Sequence, residues 1–177
     1  MDRFTQFNKW MFFVVCCLFT TLIFAGPKIN ANSNSSTRVL FVLLSKEATI
    51  HASPNKKDSY QLILNGVNSS VVYFADRPAR FSKELALNKF LQQWYMGSFK
   101  NDPPNAIMHA VHLASNSKNG QAYSVSYAVV LKNPQYDKMN DRLIFDIQPL
   151  KGSPTLVPNE QSDFVALFID DVCLSCL

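Results

Sequence analysis

Short apolar runs separated by polar pairs fill the chain from residue 38 onward. Arg38–Leu44 (RVLFVLL) is β-branched and apolar, Ala48–Ser53 (ATIHAS) alternates, and Ser59–Gly66 (SYQLILNG) alternates up to an Asn65-Gly66 turn signal. Each predicts a strand. Ser70–Phe74 (SVVYF) predicts a fourth, and Ala106–Ala114, Gln121–Leu131, Leu143–Leu150 and Asp163–Asp170 predict four more. In the run from Gln121, Tyr123, Val125, Tyr127 and Val129 fall on one face, with Ser124, Ser126 and Ala128 on the other.

One segment has helical period instead. Within Ser82–Gly97 (SKELALNKFLQQWYMG), Leu87, Phe90, Leu91 and Trp94 recur at i, i+3, i+4 and i+7 and so share an apolar face. Ser82 is the expected N-cap, Glu84 lies in the expected first turn, and Gly97 is the stop. About eight strands with closely spaced turn signals and one helix predict a mainly β fold. The expected form is an antiparallel sandwich or partly closed barrel, with the amphipathic helix packed on the sheet.

The first 25 residues stand apart from this pattern. Arg3 and Lys9 precede an uncharged apolar stretch from Trp10 to Ala25, which has the dimensions of a secretory signal and is short for a membrane span. Residues 1–25 are therefore expected to be a signal peptide, 26–37 (polar, small, with Pro27) a flexible leader, and 38–177 a single β-rich domain. Cleavage at Ala25 leaves no stable membrane span, and Ala31 is the alternative site. The protein is expected to be exported, to the periplasm or the extracellular space. Its formal charge of +4 falls to +3 once Asp2, Arg3 and Lys9 are removed, and no Lys/Arg block marks a nucleic-acid partner.

The densest polar cluster is Asp76-Arg77-Pro78-Ala79-Arg80, at the end of the fourth strand. Pro78 ends the strand, and Asp76 can accept a bidentate bond from Arg77 or Arg80. One reading is a salt-bridged corner between strand and helix; the other is an anion site made by the two guanidinium groups. The rigid Phe99–Ala106 loop, with Pro103 and Pro104, could bring Asp102 or Asn105 back along the helix to face them.

Other clusters carry weaker chemistry. His109 and His112, three apart, would sit on opposite faces of a strand and make a poor metal pair. Asp137, Asn140 and Asp141 could hold calcium, but a turn explains the same residues. Cys173 and Cys176, in CLSC at the end of the chain, allow a small disulfide after export, with two free thiols or a redox pair as alternatives. No serine sits in G-x-S-x-G. Nothing calls for a metal or another cofactor.

Four stretches together carry a resemblance: YFADRPAR, FLQQW, DPPNA and VVLKNPQYD, in that order between Leu62 and Ile147. Their combination resembles the signature of an uncharacterised family of small exported bacterial proteins. The resemblance marks Asp76, Arg77, Pro78, Arg80, Pro103, Pro104, Asn105, Pro134, Tyr136 and Asp137, and it implies no activity, substrate or cofactor. The terminal cysteine pair is not part of that signature.

The expected function is a non-enzymatic binding or interaction module of the cell envelope or extracellular space. Asp76, Arg77 and Arg80 with Asn105 would face an anionic ligand or an envelope protein. The alternative is an envelope-directed hydrolase with Asp76 or Asp102 as base and His109 as acid.

Overall fold

The computed structural model describes residues 37–53, 58–116 and 119–173. The expected signal segment, nearly all of the leader, and Cys176 lie outside the described residues. The strands are β1 (Arg38–Ala52), β2 (Tyr60–Val67), β3 (Ser70–Ala75), β4 (Phe81–Ala86), β5 (Asn105–His112), β6 (Tyr123–Asp137), β7 (Arg142–Pro149), β8 (Gln161–Ser162) and β9 (Phe164–Cys173). Helix α1 (Leu87–Met96) and a 3-10 turn (Ser98–Lys100) lie between β4 and β5.

All the strand pairings are antiparallel, and six strands close on themselves in the order β1-β2-β7-β6-β5-β9-β1. The ring is not a regular barrel. A row of partners leaving β1 at Phe41 runs through Ile169, Ala106 and Val129 to Pro149. The neighbouring row, through Ile147 and Tyr60, returns to β1 at Ala52, far along the same strand. A stagger this large tilts the strands steeply and flattens the ring towards a sandwich. The mainly β antiparallel expectation with one helix is met.

β1 joins what the sequence divides into two strands. Val39, Phe41, Leu43 and Ser45 point inward, then Ala48 and Ile50 do, so the buried positions change parity across Lys46 and Glu47. The strand turns a corner of the sandwich there. Ser45 is buried, and its Oγ lies 2.6 Å from the Glu47 carbonyl and 2.8 Å from that of Asn65, sharing one proton between them. On β2, Gly66 has φ +62° beside the Lys46 side chain, and a Cβ there would lie 2.8 Å from Lys46 Cδ. Only glycine fits that place without strain.

The expected start of the helix is corrected. Ser82 and Glu84 are not a cap and a first-turn acid: Phe81–Ala86 forms β4, pairing residue for residue with β3. The free edge of β3 explains this, because six more residues in register satisfy backbone groups that a helix start would leave to water. Phe81, Lys83 and Leu85 then stand opposite Ala75, Tyr73 and Val71. Helix α1 begins at Leu87 without a side-chain cap, and the Leu87 N–H donates to the Ser69 carbonyl at 2.8 Å.

The apolar face is as expected: Leu87, Phe90, Leu91 and Trp94 are all buried. Ten residues make a marginal helix in water. Packing supplies the rest, at about 1.5–3 kcal/mol for each large side chain fully buried. Phe90 and Phe99 approach Phe41 at centroid distances of 5.1 and 6.3 Å, and Trp94 approaches Phe145 at 5.5 Å. The helix thereby joins β1 to β7 through an aromatic cluster in the core.

Candidate functional site

The inward stripe of β5 is Ala106, Met108, Ala110 and His112. The first three are core, and the fourth carries that stripe to the end of the strand as an imidazole. His112 pairs in register with Tyr123 of β6, and their rings stack at 4.3 Å with an interplanar angle of 8°. Two inward positions further along β6, Tyr127 donates to Glu160 Oε2 at 3.0 Å. The Tyr123 hydroxyl reaches Glu160 Oε1 at 3.4 Å.

Glu160 is held by its backbone. The Ile50 N–H donates to the Glu160 carbonyl at 3.2 Å, and the Asn159 N–H donates to the Ile50 carbonyl at 2.6 Å. Buried Leu156 anchors the same loop, and Asn159 Oδ1 lies 3.1 Å from His51 Nδ1. A carboxylate is thus fixed by β1 over a histidine and two tyrosines from β5 and β6.

His112 is 3% exposed, and its Nε2 is buried without a hydrogen-bond partner. That atom lies 3.6 Å from Glu160 Oε1, which is ion-pair distance once the ring is protonated. Burial, then the hydrogen bond to Glu160, push the Tyr127 hydroxyl up in pKa. Behind His112, Asp163 accepts from the Leu113 N–H at 2.7 Å and from Asn116 Nδ2. Those two bonds, with His112 nearby, hold its carboxyl below the usual aspartate range.

A cleft of about 600 Å³ opens over this group. His112, Tyr123 and Glu160 form one part of its lining, and Asn116, Asn119, Asn159 and Gln161 supply four carboxamides. Among the described residues no three His, Cys, Asp or Glu side chains gather as metal ligands would. What the cleft offers is a set of fixed donors and acceptors beside a half-exposed aromatic ring.

The residues singled out in the sequence fall elsewhere. Asp76, Arg77 and Arg80 share the turn between β3 and β4, and all three are exposed. The corner therefore joins strand to strand, closed by a bond from the Arg80 N–H to the Asp76 carbonyl at 3.1 Å. Among the described residues no ion pair joins Asp76 to either arginine. Asn105 opens β5 and is exposed; β9 and β1 lie between β5 and β3, three steps of roughly 4.8 Å in sheet order. The hairpin leaves the sheet near Val39 and the cleft lies near Glu47, eight positions along β1, or about 26 Å if extended.

His109 turns to the outer face, its Nδ1 2.9 Å from Ser126 Oγ, so the two histidines do lie on opposite faces. The Asp137–Asp141 cluster is consumed by its own turn. Asp137 accepts from the Met139 and Asn140 N–H groups and from Asn140 Nδ2, and Asp141 accepts from Tyr136. Cys173 ends β9 opposite Arg38, and its expected partner Cys176 is outside the described residues.

The proline motifs meet each other. Pro134 lies in an irregularity of β6 and its carbonyl accepts from the Tyr95 hydroxyl, while Pro103 faces the same small cleft beside Trp94 and Phe99. They fasten the end of the helix to the ring.

Sequence reasoning missed Glu160, which sits in a run (KGSPTLVPNE) that reads as loop, and took His112 only as half of a failed metal pair. One signal was available: Tyr127 shares one predicted face of β6 with Val125 and Val129, and a buried tyrosine hydroxyl requires a partner. No protein family, curated protein or solved structure matches this chain.

Proposed function

We propose that the chain is an exported, non-enzymatic binding module of the cell envelope or extracellular space, and that the cleft over His112 and Glu160 receives its ligand. The observation that supports this reading most directly is the buried, unpartnered His112 Nε2 beside a carboxylate fixed by two tyrosines. Fixed polar groups around a concave surface orient a ligand, and the described lining includes no serine, threonine or cysteine nucleophile. The basic start of residues 1–25 with its uncharged apolar stretch and the resemblance to small exported bacterial proteins support export.

The exposed Asp76–Arg80 hairpin is the second proposed surface. Its two guanidinium groups are free to meet an anionic group or an envelope protein, with Asn105 at the start of β5 on the same end of the sheet.

Native mass spectrometry of the protein purified from its own source tests the reading. The expected result is a mature chain lacking the first 25 residues and carrying a non-covalent ligand that is released intact. A bound compound that the protein itself cleaves on incubation would replace the binding module with the hydrolase. A full-length, unprocessed chain would remove export.

A further inference from the structure

We infer that the ligand of this cleft is a neutral saccharide, stacked on Tyr123 and hydrogen-bonded by Glu160 and the surrounding carboxamides; the inference rests on the binding-module reading above. Charge is the first argument. Among the described lining residues there is no lysine or arginine to hold a phosphate or carboxylate. The one carboxylate, Glu160, accepts from Tyr123 on one oxygen and Tyr127 on the other and faces His112 at 3.6 Å, and each oxygen keeps a further lone pair for a ligand hydroxyl.

The donor and acceptor inventory is the second argument. Gln161 offers both a carbonyl oxygen and an NH₂ group, while Asn116 gives one Nδ2 hydrogen to Asp163 and keeps its carbonyl, and Asn159 keeps its NH₂ group with its Oδ1 on His51. Adjacent hydroxyls on a sugar ring each donate and accept, and such paired groups match a carboxamide or carboxylate edge. An amine or a phosphate uses only one half of that inventory.

The aromatic ring is the third. Tyr123 is 46% exposed although His112 is stacked against it, so it presents apolar surface to the cleft on a support that cannot tilt freely. The C–H face of a pyranose is apolar while its edge is polar, and a ring beside fixed polar groups suits both.

The test titrates the protein purified from its source with maltotriose, cellotriose and chitotriose, using spermidine and inorganic phosphate as cationic and anionic probes. Calorimetry and tyrosine NMR shifts are the readouts. The expected result is saturable binding of at least one trisaccharide that shifts the Tyr123 and Tyr127 resonances. Affinity should fall at least tenfold in Tyr123→Ala and Glu160→Gln, be retained in Tyr123→Phe, and be unchanged in Lys89→Ala on the exposed side of α1.

Circular dichroism of each variant separates lost binding from lost fold. Saturation of the cleft by spermidine or phosphate with no response to any saccharide would overturn the saccharide and leave the binding module standing. Silence towards all five probes, together with a ligand-free mass spectrum, would overturn both. Saccharide binding that survives Tyr123→Ala would place it outside this cleft and overturn the assignment.

Discussion

Tyr127 donates its phenolic hydrogen to Glu160 Oε2 at 3.0 Å, tying an inward-facing residue of β6 to the loop that leads into β8. Removing the hydroxyl in Tyr127→Phe keeps the ring's packing and deletes the bond. The expected cost is about 0.5–1.5 kcal/mol at neutral pH, read as a lower midpoint in urea denaturation. The folded state holds the Tyr127 proton more tightly than the unfolded chain does. Its contribution is therefore full below about pH 10 and is lost as pH rises from there. The alkaline fall in stability should be shallower in the variant. An identical alkaline limb in both proteins would show that Glu160 is held without this bond.

Asp163 gives the opposite sign. Bonds from the Leu113 N–H and then Asn116 hold its carboxyl below the ordinary aspartate value. Stability from such a group is present above about pH 4 and is lost as pH falls through its lower folded value. Asp163→Asn keeps the shape but loses the charge, so it should unfold at lower urea concentration at pH 7. The two proteins should converge as the solution is acidified below about pH 4. A gap that stays constant down the acid limb would mean that the charge contributes nothing.

Phe90 shows what the helix does for the ring. It is 1% exposed, 5.1 Å from Phe41 on β1, and edge-on to Trp94 at 5.7 Å and 77°. Phe90→Ala should cost about 3–5 kcal/mol. Trp94 is the only tryptophan after Trp10, so its emission reports the site directly. A red shift is expected as the cluster opens. A loss below about 1 kcal/mol with unchanged emission would mean that α1 merely rests on the sheet.

The core was legible because its signal is local. Leu87, Phe90, Leu91 and Trp94 are helical by spacing alone, and Tyr127 and Val129 share a face by alternation alone, which the structure buries. What escaped depends on neighbours distant in sequence. Nothing within Phe81–Ala86 reveals that β3 has a free edge to be filled, and Ser82 and Glu84 suit a helix start equally well. Ser45-Lys46-Glu47 reads as a break between strands, whereas it is a corner that one strand turns, pairing with β9 up to Ser45 and with β2 from Ser45 onward. The cleft is harder still. Glu160 belongs to no periodic segment, and its meeting with His112 and Tyr127 exists only once three strands and a loop are assembled.

The hairpin between β3 and β4 separates a functional from a structural use of its charges. Arg80 has φ +44°, a left-handed conformation that costs any residue bearing a Cβ roughly 1–2 kcal/mol. Arginine and alanine bear that cost alike, so Arg80→Ala changes only the exposed side chain. Among the described residues no ion pair ties that guanidinium to Asp76. The denaturation midpoint should therefore move by no more than the equivalent of about 0.5 kcal/mol. If the hairpin receives an anionic group, retention of inorganic phosphate on the folded protein should drop in the variant and weaken further as salt is raised. A large loss of stability would instead give the arginine a structural role. Unchanged phosphate retention in a stable variant would remove Arg80 from the proposed anion-facing surface.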